Sequence, residues 1–116
     1  MAESLHELQE RICRTYGAGV EPPLPGTKVG IALDTLDRVP IYGVRLPPTA
    51  TTCGWYIHAG DSSDADDFYK PLCVEHLADY CQFALPFLYL PPGWRFMTDG
   101  KGFIDVWQDT TADAPP

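Results

Sequence analysis

The sequence predicts an α+β fold, a single domain in which helices pack on a mostly antiparallel sheet, with the element order α-β-β-β-α-β-β. Three observations carry this reading. In residues 91–107, Trp94, Phe96 and Thr98 alternate with Arg95 and Met97, and Phe103, Asp105 and Trp107 alternate with Ile104 and Val106, around a Gly-rich reversal at 99–102. That is the signature of a β-hairpin. Residues 51–59 set Trp55 and Ile57 on one face of a strand and Tyr56 and His58 on the other. Residues 2–16 and 74–85 repeat instead at helical spacing. A chain of 116 residues, taken as one domain over 1–116, buries a single core and is too short for two.

In chain order, the first helix spans 2–16, with Leu5, Leu8, Ile12 and Cys13 on one face. Glu3, Glu7 and Glu10 lie towards its N-terminus and Arg11 and Arg14 towards its C-terminus, which complements the helix dipole. Gly17 and Gly19 stop it. Residues 21–26 form a proline-rich connector. Strands follow at 28–33, 41–46 and 51–59, separated by turns at 34–40 and around Pro47 and Pro48. The second helix, 74–85, buries Val74, Leu77, Ala78, Cys81 and Leu85, and Pro86 suits the first position of a further short turn. The hairpin closes the domain, and 110–116 reads as a frayed tail.

Composition narrows the function classes. Apolar residues make up 45% of the chain and aromatics 12%, which fits a folded globule. The N-terminal 17 residues carry charges throughout and lack an apolar run, so no signal peptide is expected and the protein is expected to be cytoplasmic. The four cysteines, Cys13, Cys53, Cys73 and Cys81, contain no C-x-x-C pair and are expected to be thiols. On one helix Cys73 and Cys81 would lie about 12 Å apart, too far to bridge. Net charge is −8, with six acids and five bases in 1–60 against ten acids and three bases in 61–116. Such a surface repels nucleic acid and anionic membrane, and it reads either as plain solubility or as attraction for a basic protein. There is no Gly-x-Ser-x-Gly elbow, no Gly-rich phosphate loop and no nucleophile–base cluster, so no enzyme is expected.

Five pieces coincide in order: Leu-Pro-Gly-Thr-Lys-Val-Gly-Ile-Ala-Leu at 24–33, Gly-Trp-Tyr-Ile-His-Ala-Gly-Asp at 54–61, Pro-Leu-Cys-Val-Glu-His-Leu at 71–77, Leu-Pro-Pro-Gly-Trp-Arg-Phe at 90–96, and Asp-Val-Trp at 105–107. Together they resemble the immunity-protein thirty-three family, over roughly residues 20–110, with the helix at 2–16 outside the clearest part of the match. The resemblance implies an antidote that neutralises a cognate bacterial toxin in interbacterial competition. It implies no catalytic residues, and no cofactor is expected. Where the family often has histidine, this chain has Cys73, which weakens a metal role for that segment.

Three candidate sites stand out. Asp61, Asp64, Asp66 and Asp67 fall within seven residues and read either as a solvated loop, as a partner contact or as oxygen ligands for a hard cation, although the spacing is not that of an EF-hand. With Tyr69 and Glu75 they are the expected partner-binding residues, the acids steering a basic toxin and the aromatics anchoring it. His58, Cys73 and His76 are candidate zinc ligands, but the set is incomplete, and no structural zinc is expected. The third is the aromatic set, mostly core, from which Tyr56 with His58 and Tyr80 with Phe83 point outward. The alternative function is a small-molecule or metal-binding accessory domain without catalytic activity.

Overall fold

The computed structural model describes residues 3–60 and 68–108. Helix α1 is Leu5–Thr15. The strands are β1 (Lys28–Ile31), β2 (Ile41–Arg45), β3 (Thr52–Ala59), β4 (Lys70–Cys73), β5 (Trp94–Thr98) and β6 (Ile104–Gln108). They form one sheet in the order β4-β1-β3-β2-β5-β6. β1 and β3 run parallel, and every other neighbouring pair is antiparallel. Short 3₁₀ segments lie at Leu33–Thr35, Val74–Asp79 and Gln82–Phe87. The α+β class is as the sequence predicts.

α1 is fixed at both ends by local chemistry. Ser4 Oγ accepts from the Glu7 backbone N–H at 3.1 Å while Ser4 N–H donates to the Glu7 carboxylate, a capping box. At the other end Gly17 takes φ +74°, and Ala18 N–H returns to the Cys13 carbonyl at 2.8 Å, so two late carbonyls are satisfied in a Schellman turn. Ile12 and Cys13 are buried as expected, and Leu5 is exposed. Gln9 is buried as well, because its Nε2 donates to the Leu85 carbonyl at 2.8 Å and ties α1 to the second half of the chain.

Strand register decides which residues share a face. Ile41 pairs with Ala59, Gly43 with Ile57 and Arg45 with Trp55, and Gly43 also pairs with Phe96. This face, with Val29 and Ile31, packs against Ile12, Cys13, Leu77, Cys81, Ala84 and Phe87 from the helical segments. Phe96 stacks on Phe87 with ring centroids 4.4 Å apart and tilts against Trp55 at 5.5 Å. The Arg45 guanidinium also lies in this core, 2% exposed. Its Nε donates to Cys53 O at 3.0 Å, and its Nη1 donates to Leu90 O at 2.9 Å and to Glu21 O at 2.5 Å. Backbone dipoles hold this cation, and no ion pair to it exists among the described residues.

Three local expectations change. Residues 74–85 are not one α-helix. Two 3₁₀ segments replace it, broken where Cys81 is extended (φ −150°, ψ 82°). The buried Cys81, Ala84, Phe87 and Leu90 recur every third residue, the period of a 3₁₀ helix, and Pro86 inside the second segment has no N–H to give an α-helical bond. β4 is an unexpected strand. It is short, contains Pro71 and lies on the sheet edge, the one place a strand tolerates a missing donor. Cys73 and Cys81 therefore do not share a helix: Cys73 ends β4, and Cys81 joins the two 3₁₀ segments. All four cysteines are free thiols in the structure.

Candidate partner-binding surface

The second face of the sheet carries the residues that alternate with the core. Tyr42 lies opposite His58, Val44 opposite Tyr56, Met97 opposite Tyr42, and Trp107 opposite Arg95. Phe68 and Tyr69, which lead into β4, fold onto the same face. The rings form a connected chain. Tyr42 stacks on His58 at 5.1 Å, His58 meets Phe68 at 5.9 Å, Phe68 meets Tyr69 at 4.9 Å, and Tyr69 meets Tyr56 edge-on at 5.3 Å. Gly30 makes room for this: a Cβ there would come within 2.6 Å of the Tyr56 ring. The edge-to-face geometry suits the ring quadrupoles and holds the side chains in fixed rotamers.

Electrostatics keep the cluster neutral. Tyr69 is half-buried, and burial pushes its phenol up to about 12, with Tyr56 adding to the shift and Arg95 opposing it. Its hydroxyl lies 3.3 Å from His58 Nδ1. Burial pulls His58 below its ordinary value of 6.5, against a hydrogen bond to the Gly60 backbone. The unfolded chain therefore binds a proton to this histidine at a higher pH than the folded one. Between the ordinary value and the depressed folded one, stability should fall as pH falls. Urea unfolding at about pH 7.5 and about pH 5.5 should show this loss, and His58→Phe, which keeps a ring on Tyr42, should reduce it.

The sequence-predicted residues distribute as follows. Asp61, Asp64, Asp66 and Asp67 lie outside the described residues. Of the described residues that bound them, Gly60 hydrogen-bonds His58 and Phe68 packs on its ring. Tyr69 belongs to that cluster. Glu75 sits beyond the other end of β4, where its carboxylate accepts from Gly26 N–H at 2.8 Å, and this bond lowers its pKa. Of the candidate metal ligands, His58 is buried among the rings, Cys73 Sγ takes a hydrogen bond from Lys28 Nζ at 2.9 Å, and His76 is exposed. Among the described residues no three histidines, cysteines or acids gather into a metal-binding group.

Tyr56 and His58, expected to face outward, do share the face away from the core, but Phe68 and Tyr69 pack on them, leaving His58 buried and Tyr56 partly buried. Tyr80 and Phe83 are exposed, but on the 3₁₀ side, where Phe83, Pro86 and Ile104 line a separate groove of about 210 Å³. Sequence reasoning missed Tyr42, Arg95 and Trp107 as members of the aromatic face. For Tyr42 the signal was present: it alternates with Ile41 and Gly43, so it had to face away from the core. Lys28, Lys70, Tyr56 and Tyr69 line a groove of about 180 Å³ at the β4 edge, so the described part of this face contributes cations as well as rings. Among the described residues no helix is long and apolar enough to cross a membrane.

No curated protein and no solved structure matches the chain. One family model does. It is described as the Imm33-like domain, and it matches residues 8–109, from the middle of α1 through the whole sheet. The match spans most of the chain and every strand that builds the aromatic face, and the chain belongs to the Imm33-like domain family.

Proposed function

We propose that this protein is an immunity protein that binds a cognate bacterial toxin domain and neutralises it by covering the toxin's active site or the path of its substrate. The observation that carries this reading is the family match over residues 8–109. The protein acts stoichiometrically, has no catalytic step of its own and needs no cofactor. It works in the cytoplasm of the cell it protects. The toxin surface it meets is basic, as the net charge of −8 favours.

The proposed contact surface is Asp61, Asp64, Asp66 and Asp67 with Tyr69 and the ring cluster beside it, and Glu75 at the periphery. Tyrosine, tryptophan and arginine are enriched among the residues that dominate binding energy at interfaces, and Tyr42, Tyr56, Tyr69, Arg95 and Trp107 supply those types on one face. Acids at the rim of an interface act mainly on the rate of encounter.

Co-expression with the toxin encoded beside it tests the function. Growth should be restored and the two proteins should co-purify, and failure of both rejects the reading. Kinetics then separate the roles of acids and rings. Asp64→Asn/Asp66→Asn/Asp67→Asn should associate more slowly at low salt, with the difference shrinking as salt rises. Tyr69→Ala should instead raise the dissociation rate by roughly 30-fold, the effect of a residue worth about 2 kcal/mol at an interface centre. Unchanged kinetics in both variants would move the interface to another face.

A further inference from the structure

Arg45 is held in a way that leaves part of its charge unused. A guanidinium has five N–H donors. Here Nε donates to Cys53 O, and Nη1 donates to Glu21 O and Leu90 O, with a longer 3.4 Å approach to Leu88 O. Nη2 meets no acceptor among the described residues. The side chain is 2% exposed, and the surface it retains forms part of the wall of a pocket of about 250 Å³. Pro22, Leu24 and Pro48 give that pocket an apolar lining, and Thr27 and Thr52 also line it. A buried cation held by carbonyl dipoles, with the Glu21 carboxylate acting on it through space but not in contact, gains from an anion that can reach it, because the surrounding low-dielectric walls strengthen the contact.

We infer that this pocket binds a short aliphatic monocarboxylate, its carboxylate on Arg45 Nη2 and its hydrocarbon chain against Pro22, Leu24 and Pro48. A carboxylate oxygen can accept from Nη2, and the apolar lining rejects a compact, fully hydrated anion such as phosphate. Glu21 also lines the pocket but makes no ion pair with Arg45 among the described residues. Its carboxylate, exposed at the rim, opposes the incoming anion by like-charge repulsion. The site lies on the core side of the sheet, apart from the aromatic face, and does not depend on the proposed toxin contact.

The test is titration of the whole protein with sodium butyrate, using sodium chloride at matched ionic strength, inorganic phosphate and 1-butanol as controls, followed by nuclear magnetic resonance of the arginine side-chain N–H groups. Butyrate should give a saturable shift centred on the Arg45 guanidinium, and phosphate and butanol should not. Glu21→Gln, a surface change that leaves the fold intact, should bind butyrate about threefold more tightly, as expected for removing one like charge at a solvated rim. Absence of a saturable Arg45 shift overturns the assignment. So does a shift reproduced by phosphate or butanol, or an affinity unchanged in Glu21→Gln.

Discussion

Arg45→Ala should cost about 3–5 kcal/mol, a large share of the 5–15 kcal/mol that holds a domain of this size together. Buried ion pairs can often be replaced by apolar residues at little cost, because both charged partners are removed together. That escape is closed here. The acceptors are the backbone carbonyls of Cys53, Glu21 and Leu90, which no substitution can delete. Leu88 O keeps the Trp55 indole N–H at 3.0 Å, but the others lose the donor that Arg45 supplied. The guanidinium also lies 5.9 Å from the Trp55 ring centroid, so its removal leaves a void beside the largest core side chain. Arg45→Lys should fall between the two, since an ammonium offers three donors at one point and cannot span Cys53 O and Leu90 O as the planar fork does. Urea unfolding checks this: the midpoint should drop in the order parent, Lys, Ala, with an unchanged slope.

Gly43→Ala should be strongly damaging for a single added methyl, at about 3 kcal/mol. Alanine in a strand is ordinarily better than glycine by roughly 0.5–1 kcal/mol, so the sign here is set by packing alone. A Cβ on Gly43 would sit 2.1 Å from Cε2 of Phe96. That ring has nowhere to go: it is fully buried, stacked on Phe87 and tilted against Trp55. The glycine and the ring across from it act as one unit, the backbone of β2 giving a flat seat to an aromatic on β5. The coupling is directly measurable. Phe96→Leu alone should destabilise, and in the double variant with Gly43→Ala the combined loss should be smaller than the sum, because the shorter side chain vacates the space the methyl needs. Additive losses would mean that the Gly43 side of the ring does not govern this packing.

What the sequence determined by itself is the strand alternation, the C-terminal hairpin and the first helix, all carried by short-range pattern. Trp55 and Ile57 face the core and Tyr56 and His58 the other side because side-chain direction in a strand alternates whatever the strand pairs with. The hairpin of β5 and β6 follows from Pro-Gly punctuation and a Gly-rich turn, and α1 from apolar spacing and terminal glycines. The tertiary structure decided the rest, for identifiable reasons. β4 is four residues with an internal proline, so no local pattern marks it, and it exists because β1 offers it an edge. The 3₁₀ geometry at 74–87 is set by the need to seat Cys81, Ala84, Phe87 and Leu90 against a sheet whose surface comes from elsewhere in the chain. Joining Tyr42, His58, Phe68 and Tyr69 into one patch requires the register of β2 on β3 and the return of the chain at β4, neither of which is visible in any single segment. Arg45 is the clearest case. At the end of a strand a lone arginine is indistinguishable from a solvated one. Only the meeting of carbonyls from residues 21, 53, 88 and 90 makes it a buried cation, because burying a charge depends on partners that local pattern does not specify.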